Sequence, residues 1–314
     1  MSVYSGPGRH APRLAAHRSR THSLSGRPPQ LAVKPRADVL ALCEGIDNET
    51  AVGSSERTRC KNRYGRFMTT VEVSIPMAGG SFPASLHTPT SQGPWPAVIM
   101  YPDAGGTRQT FRSMADRLTS HGYAVLVPDV YWRSGTWEPF SMETVFTEAN
   151  ERARLFDLMG SLTTDMSVSD AGAMLDFLAT RPEVTPGPVG TTGYCMGGRM
   201  SLTVAGHHGD RIAAAASFHG GGLAVLDNPG SPHLAAGRTV AIIYVAAAIN
   251  DASFDAAQQD RLSAAYDAAG VRYTMETYQA LHGFAVPDNP TYNQEAEERH
   301  WTAMTTLFGS NLTT

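Results

Sequence analysis

The chain has 314 residues, of which 42% are hydrophobic and 17% are charged, and its net charge is −4. This length and composition suit one large globular domain or two small ones, and the mildly acidic balance argues against nucleic-acid binding as the main activity. The longest apolar run, Ala241–Ile249, is far shorter than the roughly 20 residues that span a bilayer, so we expect no membrane partner.

The cysteine content argues for a reducing compartment. Cys43, Cys60 and Cys195 are too few and too scattered for a disulfide framework, and they lack the spacing of metal ligands. Nothing at the N-terminus resembles the apolar core of a secretory signal. We therefore expect a cytoplasmic protein without a metal or other cofactor.

The first 67 residues differ from the rest of the chain. They hold 12 of its 25 Lys and Arg but only 5 of its 29 Asp and Glu, and they show no sustained periodicity. Three interpretations remain open for this segment: a disordered tail, an organelle-targeting peptide, or an untranslated stretch before a true start at Met68. In each case we expect a folded domain over residues 68–314.

Strands and helices alternate after Met68. The pattern predicts an opening hairpin, from Val71–Pro76 and Phe82–Pro89. The elements predicted after it are, in chain order, strand Pro96–Tyr101, helix Phe111–Gly122, strand Tyr123–Asp129, helices Met142–Leu162 and Val168–Arg181, strand Pro188–Tyr194, a helix from Met196, strands Ala213–Phe218 and Val240–Ala247, helix Phe254–Ala269, strand Val271–Tyr278 and helix Asn293–Phe308. This order predicts an α/β fold with a mostly parallel central sheet and helices on both faces.

The stretch GYCMGG places Cys195 where a predicted strand turns into a helix. Glycine two positions before and two positions after a nucleophile is the pattern of a nucleophile elbow, a turn too crowded for side chains. The N-terminus of the following helix also favours a thiolate electrostatically. The motif alone is equally compatible with a buried structural cysteine.

An elbow nucleophile needs a base and an acid that orients the base. Asp251 and His282 each follow a predicted strand, and the order Cys195, Asp251, His282 is that of hydrolases with this architecture. Asp251 could instead cap the helix from Phe254. The serious rivals of His282 as the base are His207, His208 and His219, and His219 also follows a strand.

These stretches together resemble the dienelactone hydrolase family of α/β-hydrolases, over about Met68 to the C-terminus. The resemblance rests on GYCMGG, INDASF, LHGFAVPD and the segment Gly122–Arg133. It implies an α/β-hydrolase fold, a Cys-Asp-His triad and hydrolysis of a small ester or lactone, of the carboxymethylenebutenolidase type.

Two positions depart from the family pattern. Members that cleave dienelactone carry a Glu that interacts with the resting cysteine, and the matching residue here is Asp103. They also carry an Arg that binds a substrate carboxylate, where this chain has Val286. From Val286 we expect neutral esters or lactones to be hydrolysed at least as well as carboxylate-bearing ones.

The proposed chemistry assigns further residues. Backbone N–H groups of Met196 and Ala104 would form the oxyanion hole. Arg199, one helical turn past the thiol, is expected to form a structural salt bridge rather than to bind substrate. Candidate pocket residues, which could equally be ordinary core or loop residues, are Tyr131, Trp132, Phe218, His219 and Phe284.

Two other functions remain open at this stage. The same triad could serve a general carboxylesterase or thioesterase. Alternatively, the fold could have lost turnover and could use Cys195 as a redox sensor or keep only a ligand-binding role. For either enzyme we expect a small-molecule substrate and a monomer or weak homodimer.

Overall fold

The computed structural model describes residues 42–44, 57–61 and 67–312. Two short strands, β1 (Leu42–Glu44) and β2 (Arg57–Lys61), fall within the N-terminal segment that the sequence sets apart, and β2 pairs antiparallel with the first long strand. The rest of that segment lies outside the described residues. The predicted boundary at Met68 therefore stays a prediction.

One ten-stranded sheet organises the domain, in the order β1-β2-β3-β4-β6-β5-β7-β8-β9-β10. The strands from β3 onward are β3 (Phe67–Met77), β4 (Gly80–Pro89), β5 (Ala97–Tyr101), β6 (Ala124–Pro128), β7 (Val189–Tyr194), β8 (Ile212–Phe218), β9 (Ile242–Ala248) and β10 (Tyr273–Tyr278). The last six pair in parallel, whereas β3 and β4 form the antiparallel hairpin that the sequence predicts.

Helices cover both faces of this sheet, and the predicted α/β-hydrolase architecture is confirmed. The helices are α1 (Gln109–Thr119), α2 (Ala149–Ser161), α3 (Thr164–Ala179), α4 (Met196–His208), α5 (Ala256–Ala269) and α6 (Gln294–Asn311). Helices α1 and α6 pack on one face, and α2 to α5 pack on the other. Successive strand residues point to opposite helix layers: Val98 faces α1 and α6, and Ile99 faces α2 to α5. Strands buried on both faces explain the continuous apolar runs AVIMY and AVLVP.

The helix predicted over Met142–Leu162 is too long. Hydrogen-bonded turns run from Ser141 to Glu148, and the regular helix α2 begins only at Ala149. Glu148 is extended, with φ −84° and ψ 112°, which interrupts the helical path. Met142 and Val145 lie in these turns, and both side chains are buried in the core. Their three-residue spacing therefore resembles that of a helix.

A buried hydrogen-bond chain joins β4 to α1. Ser85 Oγ lies 3.0 Å from His87 Nε2, and His87 Nδ1 lies 2.7 Å from Asp116 Oδ1. Ser85 and His87 are each only 1% exposed. A buried polar group without a hydrogen bond lowers the stability of the fold. The hydrogen bonds of Ser85, His87 and Asp116 therefore allow polar residues on a strand that faces a helix.

None of the helices in the described ranges is long and apolar enough to cross a membrane. Over the same residues, no group of three or more His, Cys, Asp or Glu side chains is placed to hold a metal ion.

Candidate active site

Cys195 stands at the carboxyl edge of the sheet, on the turn between β7 and α4. Its backbone has φ 53° and ψ −115°, which is rare for a residue with a side chain and is concentrated at functional turns. Its N–H donates to Phe218 O at 3.1 Å, and its carbonyl accepts from Gly198 N at 3.1 Å. These bonds hold the strained turn, and the thiol is free and partly exposed.

The glycines around Cys195 are required by close backbone contacts. A Cβ on Gly193 would lie 2.0 Å from the carbonyl oxygen of Gly197, and a Cβ on Gly197 would lie 2.3 Å from that of Pro102. The first turn of α4 therefore packs directly on β7 and on the loop after β5. This crowding is what the GYCMGG pattern predicts for a nucleophile elbow.

Asp251 and His282 meet beyond the ends of β9 and β10. His282 Nδ1 lies 2.7 Å from Asp251 Oδ2. The other oxygen of Asp251 accepts from the Ser253 hydroxyl at 2.6 Å and from the Ser253 N–H at 2.9 Å. Asp251 does cap a short turn over Ala252–Phe254, but the cap of α5 is Asp255, so Asp251 also serves His282.

The protonation of His282 is governed by its neighbours. Burial lowers the pKa of the imidazole, but hydrogen bonds to Asp251 and Cys195, together with their negative charges, raise it from 6.5 to about 10. Because Asp251 occupies Nδ1, Nε2 is the ring nitrogen left to face the thiol. The arrangement favours a protonated imidazole on His282 at neutral pH.

The two predicted oxyanion-hole residues lie on adjoining segments. Met196 begins α4, where the first N–H groups have no acceptor within the helix. Ala104 follows β5, which is the parallel neighbour of β7, with Tyr101 opposite Gly193. The hydroxyl of Tyr131 donates to the Ala104 carbonyl at 2.7 Å and also contacts Met196 Sδ at 3.5 Å. Tyr131 thus links both segments.

The model of the dienelactone hydrolase family matches residues 82–312. The chain belongs to the dienelactone hydrolase family. This membership supports a hydrolase that acts on ester or lactone bonds.

Individual relatives agree with this assignment. A Synechocystis sp. protein whose name includes carboxymethylenebutenolidase is 26% identical over 77% of this chain and 97% of its own length. A carboxymethylenebutenolidase of Pseudomonas sp. is 25% identical over 73% of this chain and 90% of its own. The crystal structure of a dienelactone hydrolase-like promiscuous phosphotriesterase from metagenomic libraries matches with a TM-score of 0.65 at 25% identity, over 78% of this chain and 99% of that one.

Asp103 is held by arginine in this member of the family. Arg108 donates to Asp103 Oδ1 at 2.7 Å and Oδ2 at 3.0 Å, and to Asp288 at 2.7 and 2.8 Å. Burial opposes the charge of Asp288, but these bonds hold the pKa of that carboxyl below its ordinary value. The described hydrogen bonds of the Asp103 carboxylate go to Arg108 and Gly105, so its role beside Cys195 stays a prediction.

The other candidate pocket residues are mostly core residues of the domain. Trp132 stacks on Phe82 and donates to Asp170 at 3.1 Å. Phe284 is fully buried and stacks on Tyr278. Phe218 is also fully buried, at the end of β8. Their use as substrate contacts stays a prediction.

His219 lies behind His282 rather than in its place. Their ring centroids are 5.2 Å apart, and His219 is 1% exposed. Burial and the neighbouring imidazoles lower its pKa well below 6.5, and neither ring nitrogen has a hydrogen-bond partner among the described residues. The hydrogen bond of Asp251 goes to His282. The geometry therefore favours His282 over His219 as the base.

A cavity of about 480 Å³ begins beside the elbow, between α4, the start of α3 and residues 228–230. Met196 and Arg199 both line it. The salt bridge expected for Arg199 is absent: its guanidinium has no ion pair or hydrogen bond with the part of the chain that the structure describes. Sequence reasoning missed this because an arginine on a helix carries no sign of which partners the fold supplies.

Proposed function

We propose that the chain is a cysteine hydrolase of small esters or lactones, with Cys195 as nucleophile, His282 as general base and acid, and Asp251 as the residue that orients His282. The proposal is supported by a thiol on a strained elbow and by an imidazole whose Nδ1 lies 2.7 Å from Asp251 Oδ2 and whose pKa is raised in part by a hydrogen bond to that thiol. Nucleophile, base and orienting group are the three roles that acyl transfer requires.

Acylation begins with a Cys195 thiolate beside a His282 imidazolium. The Cys195 thiolate attacks the carbonyl carbon, and the carbonyl electron pair moves onto oxygen. The N–H groups of Met196 and Ala104 receive this oxyanion. When the intermediate collapses, the bond to the leaving oxygen breaks, and that oxygen takes the proton from His282. The product of this step is a thioester on Cys195 and a free hydroxyl.

In deacylation, His282 changes from general acid to general base. Neutral His282 takes a proton from water, and the resulting hydroxide attacks the thioester carbon. Collapse expels the Cys195 thiolate and releases the carboxylic acid, while His282 is again an imidazolium. Asp251 keeps the ring oriented in both steps because its bond to Nδ1 remains in place. In a lactone, the released acid and hydroxyl belong to one molecule.

The proposed substrate class follows from the family and its relatives. Relatives named carboxymethylenebutenolidase support a lactone as the first substrate to test. Aryl esters test the general carboxylesterase alternative with the same residues, and thioesters extend it.

The test is hydrolysis by the purified full chain of a panel of unsaturated lactones, aryl esters and thioesters, with Cys195→Ala as the matched control. We expect hydrolysis of at least one class, lost in the variant, and a mass increase on Cys195 in quenched reactions that equals the acyl group. A chain that hydrolyses none of these, and whose Cys195 instead undergoes reversible oxidation by peroxide, would overturn the proposal in favour of a sensor.

A further inference from the structure

We propose that Cys43 and Cys60 form a disulfide when a peroxide oxidises the chain, and that this pair is a redox-modification site separate from Cys195. Neither residue takes part in the proposed hydrolysis. Both lie on paired strands at one edge of the sheet, and the register of those strands brings them together.

The backbone places the two cysteines directly opposite each other. β1 and β2 are antiparallel neighbours, and Cys43 is the register partner of Cys60. Opposed residues of antiparallel strands have Cα atoms about 4.5 or 5.5 Å apart, depending on the hydrogen-bond pattern. A disulfide joins Cα atoms that lie about 4.4–6.8 Å apart. The register therefore suits the bond for either pattern.

The neighbouring residues favour the same register. Glu44 is the register partner of Arg59, and opposite charges across antiparallel strands stabilise their pairing. A slip by one residue would separate Glu44 from Arg59 as well as Cys43 from Cys60. β2 is also paired with β3 along its whole length, so the two short strands are continuous with the sheet of the domain.

Cys195 is too far away to compete for either cysteine within one molecule. It follows β7, and β3, β4, β6 and β5 lie between β2 and β7 in the sheet. At about 4.8 Å between neighbouring strands, the span from β2 to β7 is about 24 Å, which a disulfide cannot bridge. The chain has three cysteines, so Cys43 and Cys60 are left to pair with each other.

The bond forms in two balanced steps with hydrogen peroxide as the oxidant. The sulfur of one cysteine attacks a peroxide oxygen, the O–O bond breaks, and a sulfenic acid and a water result. The sulfur of the other cysteine then attacks the sulfenic sulfur. The S–S bond forms and the S–O bond breaks to release a second water. The two thiols lose two electrons to the peroxide, and their protons end on the released waters.

A reversible bond is compatible with the reducing compartment expected from the cysteine content. Disulfides in such compartments are usually transient and redox-sensing, and other thiols reverse them by exchange. β1 is the last strand at its end of the sheet. The bond would therefore tie an edge strand covalently to its neighbour, where strands otherwise fray most easily.

The test is oxidation of the purified full chain with hydrogen peroxide, followed by alkylation of free thiols, denaturation and digestion with trypsin. Cleavage after Arg57 and Arg59 separates the two cysteines into peptides 37–57 and 60–61, so a disulfide leaves these peptides linked. Mass spectrometry should find the linked pair in most chains, lighter by two hydrogens than both reduced peptides together. Dithiothreitol should remove it, and Cys195→Ala should retain it.

A shift of register provides the matched control. Leu42→Cys/Cys43→Ser moves the first thiol by one residue, to the position opposite Lys61. Because this shift also moves the thiol to the other face of the sheet, most of the linked fraction should be lost. Adding Lys61→Cys/Cys60→Ser to that variant should restore it.

Three results would overturn the proposal: no linked pair forms, the pair forms only between two chains, or the register variant links as fully as the unmodified chain. A non-reducing gel separates linkage within one chain from linkage between two. The bond itself is the readout, so the outcome does not depend on whether Cys195 hydrolyses esters.

Discussion

Gly193 and Gly197 face each other so closely that a methyl group on the first would lie 2.0 Å from the carbonyl oxygen of the second. The neighbouring atoms are backbone, which cannot rotate aside as a side chain can. We expect Gly193→Ala to destabilise the domain by about 3 kcal/mol or more, because overpacking must move β7 or α4. Urea unfolding measures this change.

A glycine in open space provides the control. Gly160, in α2, has nothing within 4 Å of an added Cβ. Gly160→Ala should be stabilising by about 0.5–1 kcal/mol, since alanine is the better helix former. Equal effects of the two substitutions would contradict the account of the elbow.

Substitutions of Cys195 and His282 should have non-additive effects on hydrolysis. We expect Cys195→Ala and His282→Ala each to remove nearly all ester hydrolysis, and the double variant to be little worse than either, because residues acting together are not additive. Asp251→Asn should be milder, since the imidazole remains but is poorly oriented. Steady-state kinetics on one aryl ester checks this, with His219→Ala as the variant that tests the rival base.

The raised pKa of His282 predicts a pH dependence. Its folded value of about 10 lies above the ordinary 6.5, so the contribution of its protonated form to stability is full below about pH 6.5. This contribution is lost as the pH rises through about 10. Asp251→Asn should move the titration of the ring to lower pH because it removes a bond that raises the pKa. NMR of labelled histidine follows it, and an unshifted titration in the variant would rule out this coupling.

Tyr131 should affect kcat by holding the Ala104 segment in place rather than by contacting the substrate. Tyr131→Phe removes the hydroxyl that donates to the Ala104 carbonyl at 2.7 Å. We expect kcat to fall by roughly 10-fold or more, as when an oxyanion donor is misplaced, with a stability loss of about 1 kcal/mol. Tyr273→Phe, which removes a hydroxyl bonded to Asp267 far from the elbow, is the control. A pure KM effect at Tyr131 would instead indicate contact with substrate.

Arg108 should be a major source of stability. It is 8% exposed and binds both the buried Asp103 and the partly exposed Asp288, so Arg108→Ala removes the cation from a buried carboxylate, at a cost of about 3–5 kcal/mol. Arg112, in the helix that follows Arg108, pairs with an exposed Glu72, and Arg112→Ala should cost below about 1 kcal/mol. Chemical unfolding of both variants makes the comparison, and similar losses would show that the buried pair adds nothing special.

The fold could be predicted because strand and helix signals are local. The apolar runs that became β5, β6 and β9 are bounded by turn residues, and the glycines around Cys195 mark one specific turn. The helix before Ala149 was overextended because Met142 and Val145 keep helical spacing while Glu148 leaves the helix. Periodicity reports which residues are buried, but not where the backbone stops being regular.

Some contacts of the candidate site could also be predicted from the sequence, and others could not. The pairing of Asp251 with His282 was predictable from chain order and strand ends. The engagement of Asp103 by Arg108 and Asp288 was not, because Asp288 is 180 residues away from Arg108 in the chain. That Arg199 meets no partner among residues 42–44, 57–61 and 67–312 likewise depends on what the tertiary fold brings near it, which no local pattern encodes.

The chain of Ser85, His87 and Asp116 has the same connectivity as a serine hydrolase triad, with carboxylate on Nδ1 and hydroxyl on Nε2. Its hydroxyl is 1% exposed on a regular strand, whereas Cys195 stands on a turn that projects its side chain from the sheet. A fluorophosphonate probe should therefore leave Ser85 unmodified while an iodoacetamide probe labels Cys195. Ser85 and Cys195 therefore differ in whether a reagent can reach them, and a hydrogen-bond pattern alone does not identify a reactive nucleophile.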